Sequence, residues 1–174
     1  MHSFDTLNYL QNGNARQQQA YQTLVENKVF EHLAAYDPIL VGTIPINIYI
    51  ETSDLDIACC WENKTQFMNE LIHFLGHNQE FRLIETFING EETVIANFKT
   101  AHFEIEIFGQ NIPTKHQNGY RHMLVEHHIL LERSEAFRQQ IIALKRQGMK
   151  TEPAFGLLLG LKNDPYQALL DFEE

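Results

Sequence analysis

Residues 41–57 read VGTIPINIYIETSDLDI, with a Gly42-Thr43 turn, a ten-residue spacer, and then Asp54 and Asp56 set two apart inside an apolar run. In an extended strand, residues two apart project to the same side, so Asp54 and Asp56 point together while Leu55 and Ile57 face the other way. Two carboxylates side by side repel unless a cation joins them. A hard divalent ion, which takes a few carboxylate oxygens together with phosphate oxygens of a substrate, relieves that repulsion. The spacing therefore points to a metal-dependent phosphate site, whereas the plain alternative is a pair of solvated aspartates at a turn.

The pattern resembles the signature of the nucleotidyltransferase superfamily built on the polymerase-beta-like minimal fold. In that signature an apolar residue, Gly, and Gly or Ser precede a spacer and then Asp, apolar, Asp or Glu, apolar. Val41, Gly42, Thr43, Asp54, Leu55, Asp56 and Ile57 fit it, with Thr43 replacing the usual second Gly or Ser while keeping a hydroxyl. The superfamily carries a third carboxylate on a later strand, and FEIEI at 103–107 supplies the acidic alternation for it. Glu106 is the first choice and Glu104 the substitute. A closer resemblance runs through GTIPINIYIETSDLDI, IEIFGQ, QNGYRHM and KTEPAF to a bacterial family of domains of unknown function numbered 4269. It implies an α+β fold, a nucleotidyltransferase-like mixed sheet flanked by helices, and no particular substrate.

With 174 residues the chain suits one domain, or a small catalytic core with a helical appendage. The expected division is an α+β core over 1–113 and a C-terminal helical part over 114–174 packed on it as one compact unit. The start has no basic segment leading into a long apolar stretch, and nowhere do eighteen apolar residues run together. A soluble, cytoplasmic chain without membrane contact is expected. Cys59 and Cys60 are adjacent, a poor arrangement for a structural disulfide, and read as buried thiols.

The formal charge of −10 argues against a broad basic surface for long nucleic acid, since Lys and Arg supply most of that affinity. The charges are also segregated. Residues 1–114 hold 5 Lys plus Arg against 15 Asp plus Glu, whereas residues 115–162 hold 8 against 4. That division suits a transferase in which acidic residues hold a metal and cations from another element meet a triphosphate.

Apolar positions at Ala20, Tyr21, Leu24, Val25, Val29 and Leu33 predict one amphipathic helix over 15–35. A short strand over 39–41 delivers the Gly42 turn, 44–52 reads as a loop because of Pro45, and a strand follows over 55–61. A helix over 64–75 precedes strands over 80–88, 93–99 and 102–108, with Asn89-Gly90 as a hairpin signal. Helices are expected over 120–133, 134–147 and 151–160, with Ser134 as an N-cap and Gly148 as a stop.

Asp54, Asp56 and Glu106 are thus expected to hold magnesium, or manganese, and Glu106 also to orient or deprotonate an attacking hydroxyl. Gly42, Thr43 and Ser53 are expected to approach phosphate, although Thr43 and Ser53 are equally ordinary in turns. Arg121, in QNGYRH at 117–122, and Lys150, in KTEP, are candidate phosphate contacts; Tyr120 could stack on a base and Gln117 or Asn118 read polar edges. His116, His122, His127 and His128 show no zinc spacing, and neither a GxxxxGK[ST] loop nor a GxSxG elbow occurs.

The reaction expected is transfer of a nucleoside monophosphate from an NTP to an unidentified acceptor, with assembly of the cleft across a homodimer as one option. The rival is a catalytically inactive protein of the same fold that serves as a nucleotide-binding or regulatory module. A third option is a structural domain with merely solvated aspartates. Base preference and acceptor are not legible in the sequence.

Overall fold

The computed structural model describes residues 4–173. The chain opens with α1 (Asn8–Gln11) and α2 (Ala15–Glu26). Asn14 starts α2 by accepting from the backbone of Arg16 and Gln17, and Gln17 Oε1 accepts from the backbone N–H of Asn14 at 3.1 Å, a reciprocal capping box. The periodicity predicts a single helix over 15–35, but α2 ends at Glu26. The Asn27 side chain donates to the carbonyl of Thr23 at 2.8 Å, and Lys28 takes a left-handed φ of 52°. That reversal re-aims the chain, so the short α3 (Val29–His32) and a 3₁₀ turn (Ala34–Tyr36) bury Val29, Leu33 and Tyr36 instead of continuing the first stripe.

Five strands follow: β1 (Ile39–Val41), β2 (Leu55–Cys60), β3 (Gln79–Ile88), β4 (Glu91–Lys99) and β5 (Glu104–Gln110), with α4 (Lys64–Leu75) between β2 and β3. They form one sheet in the order β1-β2-β5-β4-β3. The β2–β5 pair is parallel and the other pairs are antiparallel, so the sheet is mixed. Asn89 and Gly90 both take positive φ, 53° and 84°, and join the matched pair Ile88 and Glu91 in a two-residue turn whose twist suits the hairpin. Among the described residues the later α-helices are α5 (Asn118–Glu132), α6 (Glu135–Arg146), α7 (Thr151–Leu159) and α8 (Pro165–Leu170), with a 3₁₀ turn (Asp171–Glu173) after the last. Ser134 caps α6 through its hydroxyl, and Gly148 takes a φ of +92° after that helix ends. The α5 helix starts at Asn118, so Asn118 lies inside the first turn rather than capping it, and Gln117 holds the capping position. Among the described residues no helix is long and apolar enough to cross a membrane.

Alternation along β2 and β5 divides the molecule. Leu55, Ile57 and Cys59, with Ile105 and Ile107, enter one hydrophobic cluster with Leu24 of α2 and Phe67 and Leu71 of α4. Ala58, on the opposite face of β2, joins Ile39 and Val41 of β1 in a second cluster with Met123 of α5, Ile141 of α6 and Phe155 of α7. Because side chains two apart share a face, Asp56 and Glu106 project toward that second, helix-covered side. The segment from 44 to 52 is a tethered excursion rather than a free loop. Ile44, Ile46 and Ile48 are buried, Gln17 donates to the carbonyl of Ile44 at 3.0 Å, and Arg138 of α6 donates to that of Ile46 at 2.7 Å.

Candidate functional site

The turn after β1 and the start of β2 are built against each other. Val41 pairs with Asp56 in the antiparallel β1–β2 ladder, so the next residue, Gly42, turns over the Asp56 side chain. Gly42 has a φ of +77°, and a Cβ placed there would collide with Asp56 Oδ2. Glycine is needed twice at this position, for its backbone angle and for the close approach of the carboxylate. Thr43 follows, its hydroxyl 3.3 Å from that of Ser53, and Ser53 in turn accepts from the backbone N–H of Ile50 at 3.0 Å. The two hydroxyls therefore hold the ends of the 44–52 excursion together.

The parallel β2–β5 register sets Asp56 opposite Glu106, and the β4–β5 register sets Asn97 on the other side of Glu106. Asn97 Nδ2 donates to Glu106 Oε2 at 3.0 Å, which fixes the carboxylate's orientation. Burial, followed by the charges of Asp54 and Glu106, raises the pKa of Asp56 to about 8, with Lys145 acting in the opposite direction. Asp54 is half-buried just ahead of β2. Glu104 shares the face of Glu106 but is exposed and sits opposite Lys99 at the end of the ladder.

A cavity of about 290 Å³ lies between the sheet and the C-terminal helices. Asp56 and Glu106 line its sheet side, and Gln117, His122, Glu126 and Glu152 line its helical side. Glu126 is only 3 % exposed, and burial followed by the charge of Glu152 pushes its carboxyl well above the usual carboxylate range, against the pull of Lys145. Lys145 is buried as well. Desolvation lowers its pKa to about 8, against the attraction of Glu126, Asp56, Glu152 and Asp54. One ammonium thus sits in the field of four carboxylates. His122 presents Nε2 to the carbonyl of Tyr166 at 2.8 Å, an arrangement that requires a proton on Nε2, and its Nδ1 lies 3.7 Å from Glu152.

The sequence-derived candidates separate into two groups. Gly42, Thr43, Asp56 and Glu106 all line the cavity. Ser53, Asp54, Glu104 and Arg121 do not line it, and Arg121 Nη1 donates to Asn118 at 3.4 Å in the first turn of α5. Lys150 is exposed at the N-cap position of α7 and is likewise absent from the cavity wall. Sequence reasoning passed over Lys145, Glu126 and Asn97. Lys145 follows Ile141 by four positions on α6, and Glu126 falls between Met123 and Ile129 on α5, so each is a charge on an apolar helical stripe. That placement is a legible signal for a buried charge, although it does not name the carboxylates each would meet.

The donor set suits a hard divalent cation. Among the described residues no three His, Cys, Asp or Glu side chains are gathered into a ready-made metal cluster. Magnesium does not require one, since it usually keeps several waters and takes one or two carboxylates plus substrate phosphates. Burial, and after it the charges of Asp54 and Glu106, hold a proton on Asp56, and a divalent ion would offset both.

No curated protein matches this sequence. Solved structures share its architecture at low identity. The Cid1 poly(U) polymerase bound to magnesium and 3′-dATP superposes with a TM-score of 0.54 at 13% identity, covering 90% of this chain and 48% of that one. The polymerase core of TRAMP, an RNA surveillance complex, gives 0.53 at 15%, covering 90% and 49%. The GLD-2/RNP-8 complex gives 0.51 at 14%, covering 89% and 58%. The chain spans about half the length of these structures, and the likeness establishes the nucleotidyltransferase fold, an α+β mixed sheet flanked by helices. The model of the family described as Domain of unknown function (DUF4269) matches residues 9–172, and the chain belongs to that family.

Proposed function

We propose that the protein is a metal-dependent nucleotidyltransferase that moves a nucleoside monophosphate from an NTP to an acceptor hydroxyl and releases pyrophosphate. The observation that carries the reading is the stacking of three features in one place: the Gly42 turn over Asp56, Asp56 opposite Glu106, and a cavity bordered by all three. The structure of Cid1 with magnesium and 3′-dATP supports the same ligand chemistry by fold analogy.

Asp54, Asp56 and Glu106 are the residues that would hold magnesium or manganese, whose positive charge would neutralise triphosphate oxygens and favour departure of pyrophosphate. The backbone at Gly42 and Thr43 comes close to phosphate because no side chain stands at Gly42. Lys145, the cation buried beside the carboxylates, takes the triphosphate role that the sequence assigned to Lys150, with Arg121 and Lys150 left as peripheral contacts. Glu106, oriented by Asn97, accepts the hydroxyl proton as the new O–P bond forms and the bond to the pyrophosphate oxygen breaks. NTP and magnesium are both cytoplasmic resources, so the reaction belongs there.

One observation favours a noncatalytic reading: the Lys145 ammonium already lies in the field of Asp54 and Asp56 and could serve in place of a metal. Calorimetric titration of ATP, GTP, CTP and UTP with magnesium into wild type, Asp54→Asn and Asp56→Asn decides between them. Binding that requires both the metal and the aspartates supports the transferase. Nucleotide binding indifferent to magnesium points to the module, and no binding by any NTP removes the nucleotide reading.

A further inference from the structure

The helical wall of the cavity carries two buried oxygens that lack hydrogen-bond partners, Gln117 Oε1 and Glu126 Oε1. Their residues are 2 % and 3 % exposed, and both line the cavity. The orientation of Gln117 is fixed. Its Nε2 donates to the carbonyls of Cys59 at 2.8 Å and Ile112 at 2.9 Å, so a flipped amide would set oxygen against two acceptors. Its oxygen is therefore an acceptor without a donor, and Glu126 Oε1 is likewise buried without a partner. A buried polar atom left without a partner is destabilising, so a wall with two of them suits something that brings donors.

Charge narrows the choice. Lys145 is shared among Asp54, Asp56, Glu126 and Glu152. A metal on the sheet side would answer the aspartates and Glu106, leaving Glu126 and Glu152 with one lysine between them. A protonated amine fits that remainder, since an ammonium carries three donors, a positive charge and no acceptor to clash with the wall. The cavity, at about 290 Å³, lies at the small end of ligand pockets. The chain's formal charge of −10 also opposes a polynucleotide.

We propose that Gln117, Glu126 and Glu152 form an acceptor subsite for a small hydroxyl-bearing amine, the ammonium held by these three oxygen-bearing side chains and a hydroxyl presented to the nucleotide. This rests on the transferase reading above. The step balances as R–OH plus NTP giving R–O–NMP and pyrophosphate: the hydroxyl oxygen bonds to the α-phosphorus, the bond to the bridging oxygen of pyrophosphate breaks, and the proton passes to Glu106.

Glucosamine and glucose differ at one position in carrying an ammonium or a hydroxyl, and they provide the probe. Their binding is measured calorimetrically without nucleotide, in an amine-free buffer, to wild type, Glu126→Gln, Glu152→Gln and Asp54→Asn. Wild type and Asp54→Asn should prefer glucosamine by about tenfold, and either Gln variant should lose most of that preference. Glu152→Gln sits on the more open side of the wall, so it serves if the buried substitution prevents folding. With magnesium and α-phosphate-labelled NTP, the label should pass to glucosamine and not to a uridine oligonucleotide. Equal binding of the two sugars, or a preference unchanged in the Gln variants, overturns the subsite. Labelling of the oligonucleotide alone overturns it too, while leaving the transferase intact. Loss of NTP binding with the amine preference preserved removes the transferase and leaves an amine-binding site.

Discussion

Asp56 and Glu106 stand opposite each other in the parallel β2–β5 ladder, on the sheet face covered by the C-terminal helices. Burial and the neighbouring charges of Asp54 and Glu106 hold a proton on Asp56 up to about pH 8. An unfolded chain releases that proton near an ordinary aspartate value of about 3.9. Between these limits the native state binds the extra proton, so stability is highest on the acid side and falls as pH rises. Glu126, also pushed up by burial, acts in the same direction. Lys145 titrates near 8 and stays charged in both states at lower pH, so it contributes little slope there. In EDTA, Tm should drop from pH 5 to 7.5 by on the order of 5 °C, with a clearly shallower slope in Asp56→Asn. Magnesium should restore Tm at pH 7.5 and have little effect at pH 5; parallel slopes for the two proteins would show that Asp56 is not the titrating group.

Gly42→Ala tests the turn. The substitution meets two obstacles, a φ of +77° and the Asp56 carboxylate where a Cβ would stand. The expected loss is roughly 1–3 kcal/mol of stability, measured by urea denaturation, together with weakened binding of any triphosphate. Gly90→Ala provides the control. Its φ is +84° but nothing lies within reach of a Cβ, so it should lose stability from backbone strain alone and leave ligand binding unchanged.

Much of the sheet was readable because its residues interact at short range. Asn89-Gly90 sets the hairpin, the alternation through Leu55 to Cys60 sets which face of β2 is buried, and the interval from Gly42 to Asp54 reflects a closed excursion. The parallel pairing of β2 with β5 was legible only as a condition, because their residues lie some fifty positions apart and α4 and a hairpin intervene. Helix periodicity misled at Asn27, where a side-chain amide competes for a backbone carbonyl and the stripe continues across a reversal. Local motifs drew attention to Gly42, Asp54 and Asp56, of which Gly42 and Asp56 line the cavity. Lys145 and Glu126 escaped because a buried charge is defined by its surroundings, here groups brought in from β2, α5, α6 and α7.

Lys145 and Lys150 give a direct contrast, one buried among carboxylates and the other exposed at the start of α7. Lys145→Met keeps the aliphatic stem and removes the charge. If Lys145 meets the triphosphate, NTP affinity should fall by about tenfold to a hundredfold, the range of a charged hydrogen bond. Lys150→Met should change it by less than about twofold, as expected for a solvated cation. Titration calorimetry with magnesium present reads both, and a larger loss in the Lys150 variant would reverse the assignment.

Gln117 joins the sheet to the helical wall through its two donations to Cys59 and Ile112. Gln117→Leu leaves both carbonyls without that partner and should cost on the order of 2–4 kcal/mol. Gln117→Glu is closer in shape, yet above neutral pH it should be the worse of the two, because a carboxylate would face two carbonyl oxygens with no proton to offer. Protonation gives the new side chain one donor, so its folded-state pKa is raised and the variant should recover stability as pH falls. Urea midpoints at pH 5 and pH 8 separate the cases. The Leu variant should keep a constant deficit relative to wild type, whereas the Glu variant should close part of its deficit at pH 5; a pH-independent deficit in the Glu variant would mean that the amide donors do not anchor this residue.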